Sequence, residues 1–188
     1  MRVGVLAFQG AFREHMEALG KLGAEAVPVR GKADMEGLSG VVIPGGESTV
    51  IGRFLVQTGL VDPMRDRIMA GELALMGTCA GAILACQRVT NDPPEGLLGV
   101  FPAEAERNHY GAQVDSFCQP VTLWDGRQIP GVFIRAPRLS PQEGASVLGV
   151  SSGQPVLMSW GRCLICSFHP ELTQNQEVHR LFLDMASR

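Results

Sequence analysis

Cys79 stands at the centre of the run LALMGTCAGAILAC, between Leu73 and Cys86. Gly77-Thr78-Cys79-Ala80-Gly81 has the form small-x-nucleophile-x-small, with an apolar strand-like run before it and a helix-like run from Ala80 to Gln87 after it. Small residues at both ends let a strand reverse sharply into a helix and push the middle side chain outward. A helix N-terminus favours negative charge, which stabilises the reactive thiolate form of a cysteine. A buried, inert cysteine acting as a small apolar residue is the competing reading. About ninety positions further on, Ser167-Phe168-His169-Pro170-Glu171 supplies a histidine and a carboxylate two residues apart. In extended backbone such side chains share a face, so Glu171 would orient His169 as a base for a cysteine supplied from elsewhere. The other histidines carry less. His15 and His179 fall in amphipathic helical patterns and are expected to face solvent, and His109 lies in a polar loop as a candidate substrate contact.

The elements that must position these groups follow from periodicity. Val3 to Phe8, Ala26 to Arg30, Gly40 to Ile43 and Leu73 to Met76 are apolar runs of the kind buried on both faces of a parallel sheet. Helical patterns over Ala11 to Leu22, Val50 to Val56 and Pro63 to Met69 alternate with them. Such alternation predicts an α/β fold with a largely parallel central sheet and helices on both faces. Beyond Thr90 the pattern becomes short strands separated by turns, around Val121 to Trp124, Val132 to Ile134, Val147 to Val150, Val156 to Trp160 and Cys163 to Phe168, with a closing helix from Gln176 to Met185. These strands are expected to extend the sheet antiparallel.

Pro44-Gly45-Gly46-Glu47-Ser48-Thr49 follows the third strand. Open α/β sheets place their sites at such carboxyl ends, and two glycines allow backbone N–H groups to face a ligand. A plain turn with Ser48 or Thr49 capping the next helix is the alternative; a phosphate loop would need a lysine that is missing.

With 188 residues, 45% of them apolar, the chain is expected to form a single domain over 1–188. A net charge of −3 gives no reason to expect nucleic acid or a membrane surface as partner, and no apolar stretch reaches a membrane span. A cytoplasmic protein with reduced thiols is the expectation for five scattered cysteines, 79, 86, 118, 163 and 166. Cys163-Leu-Ile-Cys166 is half a zinc site with no second half, in a strand where positions three apart point to opposite faces, so packing is the preferred role.

Taken together, GTCAG and SFHPE resemble the class I (triad) glutamine amidotransferases. VLAFQGAFREH, PGGEST at 44–49, ERN at 106–108, GVFIRAP at 131–137 and CSFHPEL at 166–172 narrow the resemblance to the glutaminase subunits of pyridoxal phosphate synthase, over nearly the whole chain. The resemblance implies a three-layer, flavodoxin-like class I glutamine amidotransferase fold and the hydrolysis of L-glutamine to glutamate and ammonia. It makes Cys79 the nucleophile, His169 the general base and acid, and Glu171 its orienter. Gly45, Gly46, Glu47 and Ser48 would form the glutamine-binding loop, with a glycine N–H and that of Ala80 holding the oxyanion, and Arg107, Ile134 and Arg135 as further glutamine contacts. From charge alone, Glu47 would meet the substrate ammonium and Arg107 or Arg135 its carboxylate. The ammonia would pass to a separate barrel-shaped synthase subunit in a large hetero-oligomer, with no cofactor on this chain. Gln9 lies near enough the sheet's carboxyl edge to bear on docking. His109-Tyr110-Gly111 after ERN and Arg138 after FIRAP depart from the family pattern. A cysteine hydrolase on a similar sheet, needing no partner, an amidotransferase subunit serving a different acceptor, and a non-catalytic binding or regulatory subunit are the rival readings.

Overall fold

The computed structural model describes residues 1–107 and 116–188. The first half runs β1 (Arg2–Leu6), α1 (Phe12–Lys21), β2 (Glu25–Val29), β3 (Gly40–Ile43), α2 (Ser48–Gln57), α3 (Val61–Met69), β4 (Ala74–Thr78) and α4 (Ala80–Ala85). The second half runs β5 (Cys86–Thr90), β6 (Phe101–Glu106), β7 (Ser116–Leu123), β8 (Gln128–Ile134), β9 (Arg138–Pro141), β10 (Ser146–Ser151), β11 (Gln154–Trp160), β12 (Cys163–Cys166) and α5 (Glu177–Ala186).

Nine strands form the main sheet in the order β2-β1-β3-β4-β12-β11-β10-β7-β8. The pairings from β2 across to β12 are parallel. Those from β12 to β8 are antiparallel. Strand parity sorts the core into two layers. Val3, Val5, Val42, Met76 and Leu164 pack under Leu19 of α1 and Val178 and Phe182 of α5. Their neighbours Val41, Ile43, Leu75 and Ile165 pack under Ile51 and Leu55 of α2, Met64 and Ile68 of α3, and Ala80, Ala82, Ile83, Leu84 and Ala85 of α4. The result is the expected three-layer α/β architecture, with helices on both faces and antiparallel strands added in the C-terminal half.

Two features differ from the sequence expectation. The helix after Cys79 ends at Ala85 rather than Gln87, because Cys86–Thr90 turns into β5. That strand, with β6 and β9, makes a separate three-stranded sheet packed on the α2 and α3 side. In β6, FPAEAE, proline and alanines weaken the strand signal. Cys163 and Cys166 point into opposite apolar layers, as their spacing predicts. Burial pushes the Cys86 and Cys163 thiols up to about 12.

Candidate active site

β4 ends against the start of α4 at Cys79, whose φ of 49° and ψ of −102° lie outside the range a side chain ordinarily adopts. Such a conformation costs roughly 1–3 kcal/mol and persists only where neighbours enforce it. The enforcement is visible. A Cβ on Gly77 would stand 2.7 Å from the Gly81 carbonyl oxygen, and one on Gly81 would stand 2.0 Å from that of Ile43. Only glycines let the helix start lie this close across the ends of β3 and β4. The Cys79 amide donates to the Cys166 carbonyl at 2.8 Å, tying the corner to β12. The sulfur lies 3.8 Å from the Ile134 carbonyl oxygen and reaches an open pocket.

β12 runs on into Ser167 and Phe168 and delivers His169 beside the cysteine. The His169 amide donates to the Val132 carbonyl of β8 at 2.8 Å, so the antiparallel half fixes the backbone of this histidine. His169 Nδ1 meets Glu171 Oε1 at 2.8 Å. The pair forms by a different route from the expected shared strand face. His169 leaves extended geometry (φ −109°, ψ 85°), and Glu171 sits in a 3-10 turn over Pro170–Leu172 that folds the carboxylate back onto the ring. Burial pulls the imidazole pKa down, but contact with Cys79 and the hydrogen bond to Glu171 outweigh it and raise the pKa to about 10. Burial likewise pushes Glu171 up, and is outweighed by His15 and His169, so the carboxyl sits below its ordinary value.

The His169 ring has its place because Gly45 has no side chain: a Cβ there would stand 2.3 Å from Cε1. Gly10, after β1, is required in turn, since its φ is 84° and a Cβ would lie 1.7 Å from the Gly45 carbonyl oxygen. Gly46, Glu47, Ser48, Ala80, Arg107, Ile134 and Arg135 line the same pocket as Cys79 and His169. Apart from His109, the site residues expected from sequence are therefore at this one place, Gly45 and Glu171 bordering it through the His169 ring. Ile83 joins the lining without having been expected. Glu47 caps α2, accepting from the Thr49 amide at 3.1 Å, and lies 3.5 Å from Arg107 Nη2. Arg107 also donates to Thr49 Oγ1 at 3.1 Å and to the Asp92 carbonyl. The acid and base expected to hold opposite ends of a zwitterion are thus paired with each other. His109, Tyr110 and Gly111 lie outside the described residues, and Arg138 begins β9, exposed.

The expectation that His15 and His179 face solvent is overturned: both are fully buried. His15 Nδ1 lies 2.9 Å from His179 Nε2, and His15 Nε2 lies 3.2 Å from Thr78 Oγ1 and 3.3 Å from Glu171 Oε2. Sequence offered one overlooked sign. His15 and Leu19, one turn apart, put this histidine on the apolar stripe of α1.

A strained cysteine shares a pocket with an imidazole that is hydrogen-bonded to a carboxylate, at the carboxyl end of the parallel strands of a mixed sheet. Solved structures agree at the level of fold. The chain superposes on a structure described as a glutamine amidotransferase with a TM-score of 0.94 and 47% identity, covering 99% of each chain. The PurLQS structure from Thermotoga maritima shares the fold at 14% identity and a TM-score of 0.71, covering 97% of each chain. A family model for the SNO glutamine amidotransferases matches residues 5–188, and the chain belongs to that family. It is similar to pyridoxal 5'-phosphate synthase subunit PdxT of Thermus thermophilus, 48% identical over 98% of this chain and 97% of the relative. The PdxT subunit of Deinococcus radiodurans is 45% identical over 99% of this chain and 97% of the relative.

Proposed function

We propose that the chain is one glutaminase domain, cytoplasmic, that hydrolyses L-glutamine through Cys79, His169 and Glu171. It hands the ammonia to a barrel-shaped synthase subunit that makes pyridoxal 5'-phosphate. The relatives named as synthase subunits support the partner. The observation that carries the chemistry is the His169–Glu171 contact of 2.8 Å, with the His169 ring lining the same pocket as Cys79 and Glu171 behind the ring.

Glutamine's amide is a weak electrophile. The Cys79 thiolate adds to its carbonyl carbon, and backbone N–H groups of Ala80 and Gly46 receive the developing oxyanion, each such donor being worth roughly 3–4 kcal/mol in comparable enzymes. The protonated His169 gives its proton to the amide nitrogen, the C–N bond breaks, and ammonia leaves a thioester on Cys79. The neutral imidazole then takes a proton from water, hydroxide adds to the thioester, and glutamate leaves as the thiolate returns. Glu171 holds His169 with Nδ1 protonated, so that Nε2 serves both transfers. Arg107, Glu47 and Arg135 at the rim bind the charged end of glutamine, the Glu47–Arg107 pair opening to meet the ammonium and the carboxylate.

The test is glutamate release from glutamine by the chain assembled with a synthase subunit, for native protein and Cys79→Ala. Turnover that depends on Cys79 is the expected result. Release that survives Cys79→Ala, or hydrolysis of peptides with none of glutamine, overturns the assignment.

A further inference from the structure

Glu171 has two carboxylate oxygens, and the reaction as written uses one. Oε1 meets His169. Oε2 is buried, has no hydrogen-bond partner among the described residues, and stands 3.3 Å from His15 Nε2, the nearest positive-capable group the structure records for it. Both side chains are wholly shielded from solvent. A buried carboxylate is stable only with positive partial charge directed at it.

The proton positions follow from counting partners. Burial lowers the pKa of His15 and takes that of His179 down to about 3, so each ring carries one proton at neutral pH. His179 Nδ1 has no hydrogen-bond partner among the described residues. A proton there would be a stranded buried donor, at a cost of about 1–3 kcal/mol. The His179 proton therefore sits on Nε2 and is donated to His15 Nδ1. His15 in turn carries its proton on Nε2, the nitrogen facing Glu171 Oε2 and Thr78 Oγ1. The groups acting on this ring are Thr78 from β4, His179 from α5, Glu171 and His169 from the 3-10 turn and its cap, and Glu14 on α1 itself.

We propose that His15 is a positioning residue of the glutaminase reaction: its Nε2–H keeps Glu171 a carboxylate in line behind His169, and His179 fixes the tautomer of His15. The proposal rests on the triad reading above. Its effect belongs to a particular moment. While His169 is an imidazolium, its own charge steadies Glu171. That is also the state in which the Nδ1 proton can shift towards Oε1, and the N–H of His15 at Oε2 lowers the basicity of the carboxylate so that the proton stays on the ring; once His169 has given its other proton to ammonia, the neutral ring's N–H is far too weak an acid to cross. The contribution therefore falls on kcat, while glutamine binding at the pocket on the far side of His169 is untouched.

Two variants separate this role from packing. His15→Leu fills the volume without a donor, and His15→Gln returns an amide N–H near the Nε2 position. Each is assayed in the complex with the synthase subunit, as kcat and KM for glutamate release across pH. Cys79 alkylation by iodoacetamide, followed on its own peptide, is measured on the same samples. For His15→Leu the expected result is kcat about tenfold lower or more, KM within about twofold, and the acidic limb of both kcat and alkylation moved up by about one pH unit. His15→Gln restores most of kcat and returns the limb. His179→Leu, which leaves His15 in place, gives a smaller loss of the same kind and serves if His15→Leu does not fold. Equal impairment of His15→Leu and His15→Gln with unmoved limbs overturns the proposal, as does native kcat in His15→Leu. If Cys79→Ala turns over glutamine as native does, the triad reading itself has failed; a dead Cys79→Ala beside a fully active His15→Leu sinks only the role of His15.

Discussion

Gly45→Ala is expected to disable the enzyme while sparing the fold. The added methyl would lie 2.3 Å from Cε1 and 2.8 Å from Nδ1 of His169. Non-bonded carbons settle at about 3.5–4.0 Å, so the ring must retreat by more than about 1 Å. It has little room for that, since Nδ1 is held at 2.8 Å by Glu171 and the His169 backbone by Val132. Gly45 is not among the positive-φ residues, so alanine meets no backbone penalty there. Only a side chain has to give, and overpacking of this kind costs about 1–3 kcal/mol. Catalysis suffers more: a displacement of about 1 Å at reacting groups lowers rates about 10²-fold. The assay pairs kcat for glutamate release in the complex with the thermal unfolding midpoint of the same preparation. Native kcat in a folded Gly45→Ala protein would refute the claim that this glycine exists to seat the base.

Glu171→Gln keeps the shape of the side chain and removes its charge; a folded protein with kcat lowered about 10²-fold or more is expected by the same assay, and equal rates would count against an orienting role. Gly10→Ala should unsettle the loop itself, because φ is 84° and the Gly45 carbonyl oxygen occupies the space; lower kcat together with a lower unfolding midpoint is the outcome to look for. Acid should destabilise the protein through His179, whose folded-state pKa is about 3 against an ordinary 6.5. A depressed histidine contributes stability that is full above pH 6.5 and is lost as pH falls towards about 3. At pH 5 the loss is about 2 kcal/mol, or about 4–8 °C in midpoint for a chain of this size. His179→Leu should flatten the fall between pH 7.5 and 5 relative to native protein; parallel curves for the two would contradict the buried, neutral assignment.

How legible the site was in the sequence depended on what kind of force places each residue. Gly77-Thr78-Cys79-Ala80-Gly81 could be read because its conformation is local: the steric demand that fixes the turn is written in adjacent residues. The central strands could be read because burial on both faces leaves an unbroken apolar run. The His169–Glu171 pair was found through the wrong geometry, since the turn after Pro170 does what strand parity was expected to do. His15 and His179 were misplaced for the converse reason. Polar side chains are read as surface until a tertiary partner is known, and their partners lie 164 positions apart. The small sheet went unread because β6 carries weak strand formers, β5 follows directly on the short helix after Cys79, and the two pair only across a parallel crossover.

The antiparallel half is what turns a generic parallel sheet into this site. Parallel strands alone would present Cys79 at an open edge, since β3 and β4 both end there. β12 joins the two regimes. It runs parallel to β4 with Cys166 opposite Thr78, and antiparallel to β11 on its other side. That register sets His169 three residues past the strand end, beside the elbow. β8 lies four places further along the sheet, yet its Val132 carbonyl accepts from the His169 amide, and Phe133 packs on Phe168 at 5.7 Å between ring centroids. The sheet therefore curls until its last strand returns to the reactive edge, where Ile134 and Arg135 wall the pocket. Arg135 sits at a φ of 46° just past the end of that strand, a strained turn next to Ile134, whose carbonyl oxygen lies 3.8 Å from the Cys79 sulfur. Two corners that cost conformational energy, Cys79 and Arg135, thus line the same pocket, one from each half of the fold.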